Sequence, residues 1–259
     1  MQAAIIAHVG GLRRWAAQSH FHMALAPLVL QSDAYREFYL EMSRRGDYVV
    51  VDNGAAEEKA LTMPDILKAA RMVRAAEIVL PDVLGSSIQT QVAIMTSLRA
   101  FEFARQEYRK MAVPQGETPE AWLECYKAIY DTPNIEVIGL GALTAEMFKP
   151  WGGRLGLCNA LEMLGLVRTG TEYHLLGLKE DPRNLYEYQR FKWIRSVDTQ
   201  LPVLCGQYRW EFPTLPFATF QRPCNSLVYL NAVEGGDEQV RVGDLNVALY
   251  LSWAKGRTG

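Results

Sequence analysis

The sequence lacks the features that mark several common protein classes. Its four cysteines form no C-x-C or C-x-x-C pair, which excludes zinc knuckles and zinc ribbons. The longest apolar run, residues 23–30, is too short to cross a bilayer. Two arginines follow the first apolar segment instead of preceding it, which is the wrong order for a secretory signal. We therefore predict a cytoplasmic protein with reduced thiols and no membrane contact.

Neither sign of charge dominates the chain. Twenty-seven basic residues stand against 29 acidic ones, for a formal net charge of −2. This balance excludes a protein surface that is strongly cationic overall and binds nucleic acid in that way, although it permits a local basic groove. The motifs G-x-G-x-x-G and G-x-x-x-x-G-K-[ST] are also missing, so a nucleotide-binding doubly wound sheet lacks its main support. The hydrophobic fraction of 49 % is ample for a folded core.

Short apolar runs alternate with amphipathic helical segments along most of the chain. The runs predicted to form strands cover residues 23–30, 48–51, 77–80, 111–113, 135–140, 173–178 and 194–197, with 226–230 as the eighth. Continuous apolar strands are typical of a parallel sheet that helices cover on both faces. Between a doubly wound sheet and a (β/α)8 barrel, we predict the TIM barrel. The predicted barrel is a single α/β domain over residues 1–259, without a zinc subdomain.

Three helices have predicted buried faces, and a closing helix is predicted over residues 246–253. Ser32 and Thr118 are expected N-caps, and Pro119 suits the first helical position. Helical spacing predicts one buried face after each cap: Tyr35, Phe38, Tyr39 and Met42 after Ser32, and Trp122, Cys125, Tyr126 and Ile129 after Thr118. The helix that starts at Ser86 or Ser87 is predicted to turn another set inward: Val92, Met95 and Leu98.

Polar residues and a glycine stand at the ends of the predicted strands: Asp52, Asp82, Gln115, Gly139 and Asp198. In a barrel these ends meet at one face, where TIM-barrel active sites lie. Each polar residue also has a structural alternative, as a hairpin turn at Asp52, a helix N-cap at Asp82 or a plain loop residue at Gln115. Several carboxylates around one pocket suit glycosyl chemistry, in which one attacks or stabilises C1′ and another moves a proton. This pattern alone does not distinguish hydrolysis from base exchange.

Histidine and basic residues give weaker signals. His174 lies in an apolar run, which favours a position in or near the core over a catalytic role. His20 and His22 have no marked third ligand, so no metal site is predicted. The late part of the chain carries basic residues that suit either a solvated barrel rim or a phosphate track beside the pocket. These candidate nucleic-acid contacts are Arg190, Lys192, Arg195 and Arg222.

Six short motifs occur in one order over about residues 20–200: VVVDNGAAE, EIVLPDVLG, MAVPQG, EVIGLG, HLLGL and RSVDT. This ordered set resembles the tRNA-guanine transglycosylase superfamily. It most resembles the DNA-acting branch, the 7-deazaguanine DNA transglycosylases (DpdA-type) of bacterial modification clusters and phages. The resemblance implies a (β/α)8 barrel that exchanges guanine for a 7-deazaguanine such as preQ0. If phage-encoded, such an enzyme would act in the cytosol of the bacterial host.

The resemblance also implies a role for each matching residue. Asp198 matches the nucleophile that attacks C1′, and Asp52 matches the general acid/base. Asp82 matches the carboxylate that binds the guanine edge, and Gln115 matches the amide that reads the base carbonyl. We assign further substrate contacts to Asn53, Gly139, Gly141 and His174. The expected partners are guanine-containing DNA and a free 7-deazaguanine base, with no cofactor, because one glycosidic bond replaces another.

The sequence departs from the family pattern at three places. It has no C-x-C-x-x-C…H zinc motif, which favours DNA over tRNA as the substrate. Glu117 replaces the second glycine after the glutamine, and Leu140 separates Gly139 from Gly141. Three alternatives remain open: base exchange on tRNA, a barrel glycoside hydrolase and a non-catalytic DNA-binding barrel. The oligomeric state is not predicted.

Overall fold

Eight parallel strands alternate with helices in the computed structural model, which describes residues 1–57, 61–104, 108–214 and 236–256. Within these ranges the strands are β1 (Gln2–Ile5), β2 (Phe21–Leu25), β3 (Tyr48–Asp52), β4 (Glu77–Val79), β5 (Arg109–Ala112), β6 (Val137–Leu140), β7 (Glu172–Leu175) and β8 (Ile194–Thr199). The α-helices of the same ranges are α1 (Ala26–Gln31), α2 (Asp33–Arg44), α3 (Met63–Val73), α4 (Ser87–Ala104), α5 (Pro119–Asp131), α6 (Ala142–Met147), α7 (Gly153–Met163), α8 (Leu185–Tyr188), α9 (Leu201–Gln207) and α10 (Asp237–Ala254). The predicted (β/α)8 TIM barrel is confirmed.

The barrel is nearly closed, because the two edge strands of its sheet lie side by side without a backbone ladder between them. Its ladder runs β1-β8-β7-β6-β5-β4-β3-β2, and β1 packs beside β2. The Ser19 hydroxyl, just before β2, donates to the Ala3 carbonyl of β1 over 2.6 Å and joins the two edges. The N-terminal segment thus supplies a strand that the sequence analysis did not predict. The predicted strand at 226–230 lies outside the described residues.

One predicted strand is in fact a strand followed by a helix. The apolar run at residues 23–30 is divided between β2, which ends at Leu25, and α1, which begins at Ala26. Pro27 lies in the first turn of α1, where its missing N–H breaks no helical hydrogen bond. An apolar run does not by itself distinguish a buried strand from a buried helix.

The helix predictions hold for α2 and α5 and only in part for α4. The Ser32 and Thr118 hydroxyls accept from the backbone N–H groups of Tyr35 and Ala121, and both predicted faces are buried. In α4, however, Val92 and Met95 are 61 % and 47 % exposed, and of the predicted set only Leu98 packs, half-buried, against the core. The helix packs through a different set of side chains, which includes Ile94 and Phe101. Because α4 is apolar on two sides, periodicity alone did not select the buried one.

The barrel interior has an apolar middle layer and an ionic N-terminal layer. The middle layer consists of small and medium side chains from alternate strand positions: Ala4, Met23, Val50, Val79, Met111 and Val137. Below it, Arg195 binds Glu77 at 2.8 Å and Glu172 at 3.1 Å, and Glu77 is fully buried. Tyr48 donates to Glu77 over 2.7 Å; burial, and then the Glu77 charge, raise the pKa of Tyr48 to about 12. The bottom of the barrel is thus filled by paired charges.

Three of the four residues of the predicted phosphate track lie at the opposite end of the barrel from the predicted carboxylate site. Arg190 and Lys192 are exposed in the segment just before β8, and Arg195 lies near the start of that strand. They therefore sit at the amino ends of the strands, whereas the predicted carboxylate site sits at the carboxyl ends. The Arg195 side chain is committed to Glu77 and Glu172 inside the barrel. The fourth member of the predicted set, Arg222, lies outside the described residues.

Candidate active site at the carboxyl ends of the strands

The barrel brings the predicted catalytic and base-binding residues to its C-terminal end. Asp52 is the last residue of β3, and Asp198 lies in the second half of β8. Asp82 and Gln115 follow β4 and β5 directly, in the loops that lead to α4 and α5. Gly139 lies in β6, next to β5 in the sheet. Catalytic residues of TIM barrels come from these strand ends and loops.

Asp82 is held by two side-chain amides. Asn53 Nδ2 donates to Asp82 Oδ1 over 2.6 Å, and Gln115 Nε2 donates to Asp82 Oδ2 over 2.5 Å. All three residues are buried. The Asn53 amide also donates to the Leu80 carbonyl over 2.7 Å, so both of its hydrogens are used within the protein. Asn53, predicted as a substrate contact, therefore orients Asp82 and ties the β3 and β4 loops together.

Burial sets the electrostatics of Asp82. Loss of water raises the pKa of its carboxyl group, and the hydrogen bonds from Asn53 and Gln115 partly oppose that shift. Asp82 is not the N-cap of the following helix, because α4 begins at Ser87. A buried carboxyl group between two amides is costly for folding alone, which makes it a candidate for function.

Close packing of the Gln115 loop requires a glycine at position 116. A Cβ atom there would lie 2.3 Å from the Trp122 backbone nitrogen. The loop backbone is thus pressed against the first turns of α5, whose Pro119 occupies the first helical position. This contact holds Gln115 beside Asp82. At Gly139, a Cβ atom would lie 2.6 Å from Leu176 Cδ1, so the β6 backbone also meets its neighbours closely inside the barrel.

Asp198 is fixed by the neighbouring strand and the loop that follows it. Its Oδ1 accepts from the Gly177 backbone N–H over 2.8 Å and lies 3.0 Å from His174 Nε2. His174 Nδ1 lies 2.7 Å from Ser196 Oγ. The Asp198 side chain keeps 12 % exposure, whereas that of His174 has none. His174, predicted as a substrate contact, therefore touches Asp198 and not a ligand in the open part of the barrel.

Asp52 and Gly141 complete the predicted set. Asp52 pairs with Leu25 in the ladder between β2 and β3, and it is half-buried. Strand alternation places it on the same inward side as Val50. Gly141 is the N-cap of α6, and a Cβ atom there would lie 3.6 Å from Val113 Cγ1. Both residues thus stand at the same end of the barrel as Asp198.

The sequence analysis missed Ser196 and Gly177 as site residues. Ser196 lies two positions before Asp198 and so shares its face of β8, a period-two signal that was available. Gly177 contributes a backbone N–H, which carries no side-chain signal in a sequence. Within the described ranges, no group of three His, Cys, Asp or Glu side chains could hold a metal ion. Nor is any helix of those ranges long and apolar enough to span a membrane.

Comparisons with known proteins assign no family. No family model matches the sequence, and no curated protein matches it either. Among solved structures, the fold is similar to that of CdNal from Clostridium difficile in complex with mannosamine. That similarity covers 77 % of this chain and 70 % of the other, with 6 % sequence identity and a TM-score of 0.45. A likeness at this level carries no argument about activity, which must come from the site itself.

Proposed function

We propose that this chain is an enzyme, a transglycosylase that replaces guanine in DNA with a 7-deazaguanine base. The observation that carries the proposal is the pair of differently built carboxylate sites at one end of the barrel. Both carboxylates are buried, but Asp82 lies between two amides, whereas Asp198 is held by His174 and Gly177 and its side chain keeps 12 % exposure. One site suits recognition of a base and the other suits attack on a sugar carbon. The ordered motifs of the transglycosylase superfamily support the same division.

The Asp82 cluster matches the hydrogen-bonding edge of guanine. That edge presents two donors, N1–H and N2–H, beside one acceptor, O6. Each Asp82 oxygen accepts one amide hydrogen and has a further lone pair for a base N–H. Gln115 Nε2 gives one hydrogen to Asp82 and has a second for O6. A 7-deazaguanine carries the same edge, so one pocket serves the outgoing and the incoming base.

Asp198 is the proposed nucleophile. A guanine must first leave the base stack, because its glycosidic carbon is unreachable inside a duplex. Asp198 then attacks C1′, the C1′–N9 bond breaks, and its electron pair leaves with guanine, which takes up a proton. The product of this half-reaction is an ester between the Asp198 carboxylate and C1′ of the sugar.

Asp52 is the proposed proton carrier. In the second half-reaction, N9 of the 7-deazaguanine attacks C1′, and the bond from C1′ to Asp198 breaks. The proton lost from N9 passes to Asp52, which donated a proton to guanine in the first half. One glycosidic bond replaces another, so the exchange requires no oxidant, reductant or nucleoside triphosphate. A glycoside hydrolase could use the same two carboxylates, but it would leave the Asn53–Asp82–Gln115 cluster without a role.

A base-exchange assay tests the proposal. The purified chain is incubated with labelled preQ0 and with single-stranded DNA, duplex DNA or tRNA, and each nucleic acid is then digested to nucleosides. We expect label in a deoxynucleoside, with single-stranded DNA the better substrate because its bases need no extrusion. Label in a ribonucleoside only would replace DNA by tRNA as the substrate. Label in neither pool would contradict the transglycosylase proposal.

Asp82→Asn is expected to reduce kcat/KM for preQ0 by about 100-fold and to stabilise the fold at neutral pH, with the Gln115 amide turned over so that its oxygen accepts from the new Nδ2. The amide at position 82 cannot accept both base N–H groups, so base recognition is lost. The raised pKa of Asp82 means that the folded state binds this proton more tightly than the unfolded chain does. The stabilising contribution of the carboxyl group is therefore full below its unfolded pKa and lost as pH rises through its folded pKa.

Urea unfolding at about pH 7 and about pH 4 measures this effect, since the advantage of Asp82→Asn should shrink at the lower pH. Asp131→Asn is the matched control, because Asp131 is exposed at the end of α5. It should change neither exchange nor stability. An Asp82→Asn variant that exchanges bases at the wild-type rate would remove Asp82 from base recognition.

A further inference from the structure

We infer that His174 is a positioning residue that presents one chosen oxygen of Asp198 to the sugar. A hydrogen-bond chain runs through the barrel from Arg195 to Ser196, then to His174 and to Asp198. It places the imidazole N–H on Nε2, where it fixes Asp198 Oδ1 and leaves Oδ2 to attack. The inference rests on the proposed function in one respect only, the role of Asp198 as nucleophile.

The direction of the hydrogen-bond chain follows from its two ends. A guanidinium group can only donate, so Ser196 Oγ accepts from Arg195 Nε, at 3.1 Å. At the other end, the ionised carboxylate of a nucleophilic Asp198 can only accept, so the hydrogen between it and His174 belongs to the imidazole, and the Ser196 hydroxyl donates to His174 Nδ1 over 2.7 Å. A neutral imidazole that accepts at Nδ1 carries its hydrogen on Nε2. That hydrogen is directed at Asp198 Oδ1, at 3.0 Å.

An irregularity in β8 makes the chain possible. Tyr173 pairs with Ile194, but His174 pairs with Ser196, so Arg195 is an extra residue in the ladder. Such a bulge re-aims side chains, and here it allows neighbouring residues 195 and 196 to engage the interior network together. The guanidinium is anchored by Glu77 and Glu172, which keeps its Nε aimed at Ser196. The ionic layer at the bottom of the barrel thereby orients a group near the top.

The last link of the hydrogen-bond chain makes the two oxygens of Asp198 different. Oδ1 receives the Gly177 N–H and the His174 N–H, whereas no other described residue hydrogen-bonds to Oδ2. Two donors on one oxygen hold the carboxylate in a single rotamer and leave the lone pairs of the other oxygen available. Such pre-orientation speeds a nucleophilic step by reducing the reorganisation needed to reach the reactive geometry. His174 itself, being fully buried, takes no part in substrate contact.

Nitrogen NMR of the full-length protein tests the direction of the hydrogen-bond chain independently of enzymatic activity. In protein labelled with 15N-histidine, we expect the His174 ring to show a protonated Nε2 and a bare, hydrogen-bonded Nδ1, with the resonances assigned by their loss in His174→Gln. In Ser196→Ala, the Nδ1 resonance should move toward that of an unbonded ring nitrogen. A hydrogen on Nδ1 in the wild-type protein, or an unchanged Nδ1 resonance in Ser196→Ala, would overturn the proposed chain.

Steady-state kinetics of base exchange test whether the hydrogen-bond chain positions Asp198. His174→Leu should lower kcat for base exchange by about 10- to 100-fold with KM for preQ0 unchanged, because Asp198 loses one of the two donors that orient it. His174→Gln, whose amide N–H can replace Nε2–H, should recover most of that loss, and His20→Leu, at an exposed histidine, should have no effect. A purely structural role predicts no recovery by glutamine, and that result would overturn the inference. If the wild-type chain shows the predicted resonances but no exchange, the transglycosylase function fails and the hydrogen-bond chain stands.

Discussion

Asp198→Asn is expected to lower the rate of base exchange by about 10⁴-fold or more while the barrel stays folded. The amide is not a nucleophile, so the ester with C1′ cannot form. Its oxygen can still accept from the Gly177 and His174 N–H groups, which satisfies the buried donors that Asp198 satisfies in the wild-type protein. Exchange of labelled preQ0 measures the first effect, and urea unfolding measures the second.

A matched control and a direct trap make this result decisive. Asp131→Asn makes the same chemical change at an exposed residue and should exchange bases at the wild-type rate. Mixing the wild-type chain with DNA in the absence of free base should accumulate a covalent adduct, visible by intact-protein mass spectrometry after denaturation. Peptide mapping should place the adduct on residue 198. Rapid exchange by folded Asp198→Asn, or an adduct on another residue, would remove Asp198 as the nucleophile.

Glu77→Ala should destabilise the protein by about 3–5 kcal/mol. Glu77 is fully buried at the start of β4, where it binds the Arg195 guanidinium through two contacts and accepts from Tyr48. Removal of this carboxylate leaves the largely buried Arg195 guanidinium without its main partner and the Tyr48 hydroxyl without its acceptor. The free energy of unfolding from urea titration measures the loss, provided that the slope is unchanged.

Glu172→Ala is the control for this prediction. Glu172 binds the same Arg195, but its side chain is 43 % exposed, so water can replace much of the interaction. Its removal should cost about 1 kcal/mol or less, as exposed pairs do. Equal losses in the two variants would mean that burial of Glu77 does not determine the energy of the ionic layer. If Glu77→Ala is too unstable to purify, Glu77→Gln preserves the side-chain volume and can be compared with Glu172→Gln.

The ionic layer and the hydrogen-bond chain to Asp198 share one side chain, and this links the stability of the fold to the candidate site. Arg195 is both a cation of the ionic layer and the first donor of the hydrogen-bond chain to Asp198. Substitutions in the ionic layer are therefore expected to affect exchange as well as folding. The comparison of Glu77→Ala with His174→Leu separates the effects, because only the first removes a partner of Arg195. Loss of base exchange in His174→Leu at wild-type stability would show that His174 affects exchange independently of the ionic layer.

Local patterns determined much of the architecture. The Ser32 and Thr118 caps and the buried faces that follow them could be predicted, because helix capping and helical periodicity depend on residues three and four positions apart. The strand ends at Asp52 and Asp198 were also visible, since an apolar run that stops at a charge is a local signal. The prediction of one carboxylate-bearing face followed from the rule that parallel strands of a barrel point the same way.

Only the tertiary structure decided which polar residues meet and at which end of the barrel. In the sequence, Arg195 resembled a cation on the barrel rim. In the structure it is the extra residue of the β8 bulge and binds Glu77, which lies 118 positions away in the sequence. The core position that the apolar run favoured for His174 is confirmed, but its contact with Asp198 was not predicted. Asn53, assigned to the substrate, uses both amide hydrogens inside the protein. A sequence records residue type and local period. The partners of a buried polar group depend on strand neighbours, register and depth along the barrel axis, which exist only once the sheet has closed.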